Sequence, residues 1–370
     1  MFQTIIVYIL IYGNSLLCAN RAKIISLYRN TSLDSTNIFY VGLVIFATIV
    51  GLRWNVGIDY PAYYDLLTGN NLEDIQLGRL ELIPRLSIEY IKEHGIPFYV
   101  WFIIMAFLQM FFLLKTFGKD LKVFVVWGVF FYLTGQLALA MNIIRQATAV
   151  TIVLYAYSFL YQNKYIKYLI WIVIASLFHT SALIGIPVML VSKIKISFNK
   201  VLQIFIITSF FILGEKILNY VIDMLANYSG GFTYLLKVQT INNDDFAIEK
   251  GSGLGVIFYY ARYLVLILYS KKMSTVFGRY GFDLFYTLSF IGMCFYKATM
   301  YNMILSRVMM YFTISSIVCL SMLMFYLYKN SKRQINLLLL IGLTFSEIFI
   351  TIYTIVKGEP WMFIWDSVTN

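Results

Sequence analysis

The chain has 370 residues, of which 60% are hydrophobic and only 13% charged, with a mean hydropathy of +0.76. This composition excludes an ordinary soluble domain and places the chain in a bilayer. A net charge of +11 would suit nucleic acid, but the Lys and Arg residues sit in short clusters between apolar runs, where they set membrane orientation. Nucleic acid is therefore excluded as a partner.

At about 17 to 25 apolar residues per crossing, the sequence predicts an all-α polytopic transmembrane helical bundle, one integral membrane domain over 1–370. About ten full spans fall near 2–19, 37–52, 97–115, 123–140, 145–161, 201–226, 254–270, 282–300, 308–328 and 335–356. The first run continues to Ala19 with no basic segment before it and reads as a retained span. Cys18, Cys294 and Cys319 lie inside apolar runs without CxxC or metal-ligand spacing, so they read as packing residues and no metal site is indicated.

The stretch 168–192 is different. Lys164 and Lys167 precede it while Lys193, Lys195 and Lys200 follow. Two half-helices meeting near His179 and returning keep both clusters on one side. With that membrane hairpin the basic clusters share a cytoplasmic side and both termini lie outside.

The first external loop, 53–96, holds seven of the 18 acidic residues, and helices are expected to start at Pro61 and Pro84, the second lying along the membrane surface. A second external loop, 227–253, is rich in Gly and Asn. The connections on the other side are too short for a nucleotide-binding domain, and the sequence has no GxxxxGK[ST], DxD, HExxH or GxSxG. ATP-driven transport, metal-dependent sugar transfer and serine or zinc hydrolysis lack their usual signals.

Several polar residues stand out against this background. Arg53 ends an apolar run beside IDYPAYYD, where its fork suits phosphate, although a snorkelling cation would also stand there. Asp59, two residues before Pro61, is either functional or a helix cap. Glu81, in GRLELIPRL, is drawn to the membrane surface by its neighbours or is simply solvated. Arg145, with Asn142 and Gln146 in LALAMNIIRQATA, starts a span in an otherwise apolar setting, where charges are paired or functional. His179, in ASLFHTSALIGIP, lies at the hairpin tip, as a base or as a group that satisfies the turning backbone. Lys297 and Arg307 bracket a short outer turn and would pair with Glu347 or Asp223 or face an anion; Arg262, mid-span, must be paired or face a cavity.

The order Arg53, GIDYPAYY, Glu81, MNIIRQATA, ASLFHTSALIGIP and SRVMMYF resembles the EpsG-type group of Wzy-like polysaccharide polymerases over roughly residues 40 to 320. The resemblance implies a glycosyltransferase of the bacterial plasma membrane that joins oligosaccharide repeat units carried on undecaprenyl diphosphate, at the outer face. It implies no cofactor, and as partners the lipid-linked oligosaccharide, membrane lipid and a chain-length regulator protein. Carried over residue by residue, its motifs fall on Arg53, Gly57, Asp59, Tyr60, Glu81, Arg145, Gln146, His179, Ser181 and Arg307. On that footing Arg145, Arg53 and Arg307 would bind the diphosphate, with Tyr60, Glu81 and Gln146 as further substrate-binding residues. His179 or Asp59 would deprotonate the acceptor hydroxyl. Tyr60, Tyr63 and Tyr64 are candidates for stacking on sugar rings. A lipid-linked oligosaccharide flippase would spread its charges through the depth of a central path instead, and an O-antigen ligase differs by its second acceptor.

Overall fold

A computed structural model describes residues 2–69, 77–194, 196, 199–228, 254–299, 303–358 and 360–365; most of the expected second external loop, from 229 to 253, lies outside the described residues. The chain is all-α, and among the described residues the one β-type pairing is an isolated antiparallel bridge between Arg53 and Phe363. It divides into two compact units, Met1–Ile186 with Leu320–Asn370, and Pro187–Cys319.

In chain order the first unit begins with α1 (Phe2–Tyr28), α2 (Asn37–Gly51), α3 (Tyr60–Thr68), α4 (Leu82–Glu93), α5 (Tyr99–Phe117), α6 (Val125–Gly135), α7 (Leu137–Asn142), α8 (Ile144–Tyr161) and α9 (Tyr165–Ser176). Along α1 the buried positions Thr4, Val7, Ile11, Ser15, Ala19, Ala22 and Ser26 recur every three or four residues. That stripe runs past Arg21 and Lys23, so the helix continues beyond the expected end at Ala19 to Tyr28. α2 packs against α1 and α5, α5 against α8, and α8 against α9. α8 is buried on nearly every side from Gln146 to Leu154, as befits a helix apolar all round. Its Thr148 hydroxyl returns to Ile144 O at 2.9 Å, so a polar side chain fits the centre without an orphaned group.

The span expected over 123–140 is broken. α6 stops at Gly135, Gln136 takes φ −125° and ψ −21°, and α7 ends at Ile143 with φ −104° and ψ 59°. Broken helices free carbonyls that must find donors in an apolar interior. Gln109 of α5 supplies them: its Nε2 reaches Ala140 O at 3.4 Å and Ile144 O at 3.2 Å. Arg53 supplies another, from Nη2 to Met141 O at 3.3 Å.

The opposite end of this unit is held by basic residues. Lys122 Nζ donates to Ser26 O at 2.9 Å and Thr31 O at 2.8 Å, and Lys115 pairs with Asp34.

α10 (Gly185–Val191) leads into the second unit, which contains α11 (Lys200–Tyr228), α12 (Leu254–Phe277), α13 (Phe282–Thr299) and α14 (Met303–Thr313). α13 is central, packing against the other three. Mid-helix Arg262 lies over the rings of Tyr259 and Tyr263 at 4.9 and 5.9 Å, and Lys297 lies 3.9 Å above Phe211 while donating to its carbonyl at 3.1 Å. Asp223's side chain lies outside the described residues. α15 (Ser316–Lys329) returns to the first unit, and α16 (Gln334–Lys357) packs there against α6. Glu347 of α16 is buried and accepts a hydrogen bond from Thr134 at 3.3 Å.

Among the described residues five helical stretches are long and apolar enough to cross a membrane: Phe2–Tyr28, Tyr99–Phe117, Lys200–Tyr220, Leu305–Lys329, which includes the short turn between α14 and α15, and Gln334–Lys357. Asn37–Gly51, Lys122–Gly135, Tyr165–Ser176 and Thr180–Val191 are shorter apolar helices.

Candidate functional site

The break between α7 and α8 is what positions Arg145. Ending α7 at Ile143 starts a new helix at Ile144, so Arg145 stands in its first turn at one end of the unit. Its Nε donates to the Tyr63 hydroxyl at 2.6 Å and its Nη1 pairs with Glu81 Oε2, while Nη2 donates to no described residue. The Arg145 side chain keeps 23% of its surface exposed. The guanidinium is thus fixed on two of its three nitrogens and accessible.

Glu81 stands at the N-cap position of α4, with its side chain turned away from the helix's own amides. Its other oxygen, Oε1, accepts from the Thr180 backbone N–H at 3.2 Å and from Thr180 Oγ1 at 3.1 Å. Ile83 N also donates to Leu177 O at 3.1 Å, docking the start of α4 onto the 177–184 turn. Burial pulls the Glu81 carboxyl up, but the charge of Arg145 and the backbone donors outweigh it and hold the group below the usual carboxylate range. Burial pushes the Tyr63 phenol up, against the pull of Arg145.

The turn itself follows α9. Tyr168 OH donates to Gly185 O at 2.6 Å, so the chain folds back on itself between them. His179 is extended, at φ −158° and ψ 119°, and its Nδ1 accepts from the Ser181 backbone N–H at 3.3 Å and meets Ser181 Oγ at 2.6 Å.

Residues 53–60 complete the wall. Gly57, at φ +110°, lies so close to the break that a Cβ there would sit 2.8 Å from Met141 O, and Ile58 N donates to Asn142 Oδ1 at 3.1 Å. Asp59 precedes α3 and lies near enough to Tyr63 for its charge to act on that phenol.

The structure therefore brings Asp59, Tyr63, Glu81, Arg145, His179, Thr180 and Ser181 to one end of the first unit. Arg53 lies nearby but only 2% exposed, its fork spent on Val50 O at 2.8 Å, Val56 O at 3.1 Å and Met141 O at 3.3 Å. Tyr60 is buried with its ring stacked 4.6 Å from Phe102, Tyr63 is stacked 4.8 Å from Trp101, and Tyr64 meets Trp54 and Phe98 edge-on at 5.0 Å each. Gln146 is buried in α8. Arg307 is carried by α14 in the second unit.

A family model described as the EpsG family matches residues 36–365. The chain belongs to the EpsG family. This membership and the apolar helices make it an integral membrane protein of polysaccharide biosynthesis, with a role of the polysaccharide-polymerase type. Neither a comparison with curated proteins nor one with solved structures gives a match.

Two groups in this EpsG-family site were not singled out from the sequence. Thr180 holds Glu81 through both its amide and its hydroxyl; the available signal is a Thr just after an extended residue at a half-helix tip, a capping position. The tail Trp361–Ile364 meets Leu52–Trp54, with Trp54 N donating to Met362 O at 2.8 Å and Ile364 N to Leu52 O at 3.1 Å. No sequence period announces a pairing of that kind. Among the described residues no cluster of three or more His, Cys, Asp or Glu side chains is placed to hold a metal ion.

Proposed function

We propose that this EpsG-family chain transfers a growing glycan from undecaprenyl diphosphate to an incoming lipid-linked repeat unit at the outer face of a bacterial plasma membrane. The observation that carries this reading is Arg145: a guanidinium oriented by Glu81 and Tyr63, still partly exposed, at the end of the unit opposite the Lys115 and Lys122 clamps. A fixed fork of donors suits a diphosphate, and stabilising the charge that develops as it leaves is the largest single contribution available to such a site.

In the proposed step the acceptor hydroxyl oxygen bonds to the anomeric carbon of the donor as the bond from that carbon to the diphosphate oxygen breaks. The hydroxyl proton passes to a carboxylate or imidazole, Asp59 or His179, and the lipid diphosphate departs with its electron pair. Arg145 receives the departing anion. Arg53 serves this step by holding the α7–α8 break, since it is buried and each of its three nitrogens donates to a backbone carbonyl.

Arg145→Lys tests the assignment. Lysine keeps the charge but not the planar fork, and loss of one such donor costs on the order of 3 kcal/mol, about a hundredfold in rate. The expected result is short chains and accumulated single repeat units on gels of cell-surface and lipid-linked glycan, at unchanged protein level. Normal chain length at normal expression would remove Arg145 from the diphosphate site.

A further inference from the structure

The role of His179 turns on which ring nitrogen carries its proton. The Ser181 backbone N–H points to Nδ1 at 3.3 Å, and a backbone amide can only donate. Nδ1 must therefore offer a lone pair. The Ser181 hydroxyl, 2.6 Å from the same atom, fits as a second donor sharing that one lone pair. In a neutral imidazole whose Nδ1 accepts, the proton sits on Nε2.

The neighbouring residues keep this arrangement in place. His179 is extended at the head of the 180–184 turn, and the next residue, Thr180, is anchored by two hydrogen bonds to Glu81. Moving the proton to Nδ1 would set two N–H groups against each other, so the tautomer is tied to the geometry of the hairpin tip. What His179 presents through Nε2 is then an N–H, the opposite of what a general base requires.

Building on the proposed transferase reading, we infer that His179 acts as a neutral Nε2–H hydrogen-bond donor to an anionic oxygen of the substrate, with Ser181 as the positioning residue that fixes the tautomer. His179 keeps its proton through the step. The proton of the acceptor hydroxyl goes to the Asp59 carboxylate.

The sequence makes a direct measurement accessible, because it has only two histidines. Full-length protein carrying His94→Asn, labelled with 15N-histidine and placed in lipid nanodiscs, contains His179 as its one imidazole. The expected spectrum has a protonated Nε2 and a bare Nδ1, and Ser181→Ala, which keeps the amide but removes the hydroxyl, shifts the Nδ1 resonance. A protonated Nδ1 in the His94→Asn protein overturns the inference.

Activity supplies the second arm. Glutamine places an N–H donor near the position of Nε2 without a basic nitrogen, so His179→Gln is expected to polymerise within tenfold of the parent, while His179→Ala and Asp59→Asn each lose a hundredfold or more. Should His179→Gln be as inactive as His179→Ala while the tautomer is as expected, the donor role is wrong although the tautomer stands. Failure of the transferase reading itself has a different signature: none of the Arg145, Asp59 or His179 variants would then change glycan length.

Discussion

At position 57 a single methyl group separates a working site from a displaced one. An alanine Cβ would sit 2.8 Å from Met141 O and 3.0 Å from Asn142 Oδ1, and φ of +110° is itself unfavourable for any residue but glycine. Because the obstacle is backbone at the α7–α8 break, relief requires moving Arg145's helix start. Gly57→Ala is expected to reduce polymer at least tenfold, whereas Gly69→Ala, at φ +80° but with open space around it, should cost only about 1 kcal/mol of stability and keep chain length. Chain-length gels of the two variants at matched expression separate strain from displacement. Glu81 gives a second prediction at this scale. Its carboxyl titrates below the usual range in the folded protein, so its contribution is complete above the unfolded value, near 4.3, and is lost as pH falls through the lower folded value. Glu81→Gln should therefore lower the apparent melting temperature at pH 7, by an amount equivalent to about 1 to 3 kcal/mol, and the difference from the parent should shrink on acidification below about pH 4.

At the scale of elements, the site is a joint among four pieces of broken helix: the start of α3, the start of α4, the α7–α8 break and the turn after α9. Much of this is legible in the sequence: Arg145, Glu81 and His179 stand out among apolar neighbours, where charges are costly and need a reason, and Pro61 and Pro84 announce the helices that begin at Tyr60 and Leu82. What the sequence hid was pairing at long range. Arg53 reads as an anion-binding fork, yet its nitrogens donate to the nearby Val50 and Val56 carbonyls and to Met141 O, which a helix break frees 88 residues away. The break at Gln136 is equally invisible, since LTGQLALA keeps its apolar character while the compensating donor, Gln109, comes from another helix. The fold-back after α9 carries a topological prediction. In cells expressing a variant with Cys18, Cys294 and Cys319 replaced by alanine, a cysteine at Lys92 should react with an impermeant thiol reagent from outside. Cysteines at Lys164 and Lys193 should both be protected until the membrane is opened. Opposite behaviour of Lys164 and Lys193 would turn the hairpin into a full crossing.

At the scale of the whole molecule, the first unit closes on itself, because the segment after α16 returns to the beginning of the chain. Trp361 is 2% exposed, its amide donates to Thr4 Oγ1 at 3.0 Å, and its ring meets Tyr8 edge-on at 5.5 Å. The following residues pair with Leu52–Trp54, the stretch that carries Arg53, and Arg53 in turn holds Met141 at the α7–α8 break. A chain of contacts thus runs from the tail through Arg53 to the helix that bears Arg145. Removing a buried Trp side chain costs about 3 to 5 kcal/mol, and here the loss also frees two backbone hydrogen bonds beside Arg53. Truncation after Lys357 is expected to reduce polymer at least tenfold, while truncation after Trp365 should leave it unchanged. Trp361→Ala should follow the first and Trp361→Phe should recover part of the loss, because the aromatic packing on Tyr8 survives. Protein level in the membrane must be measured for each, and the informative case is a Trp361→Ala protein that is present in normal amount but makes short chains. If truncation after Lys357 gives full-length polymer at normal expression, Arg53 holds the break without the tail, and the C-terminal segment merely rests on the surface it covers.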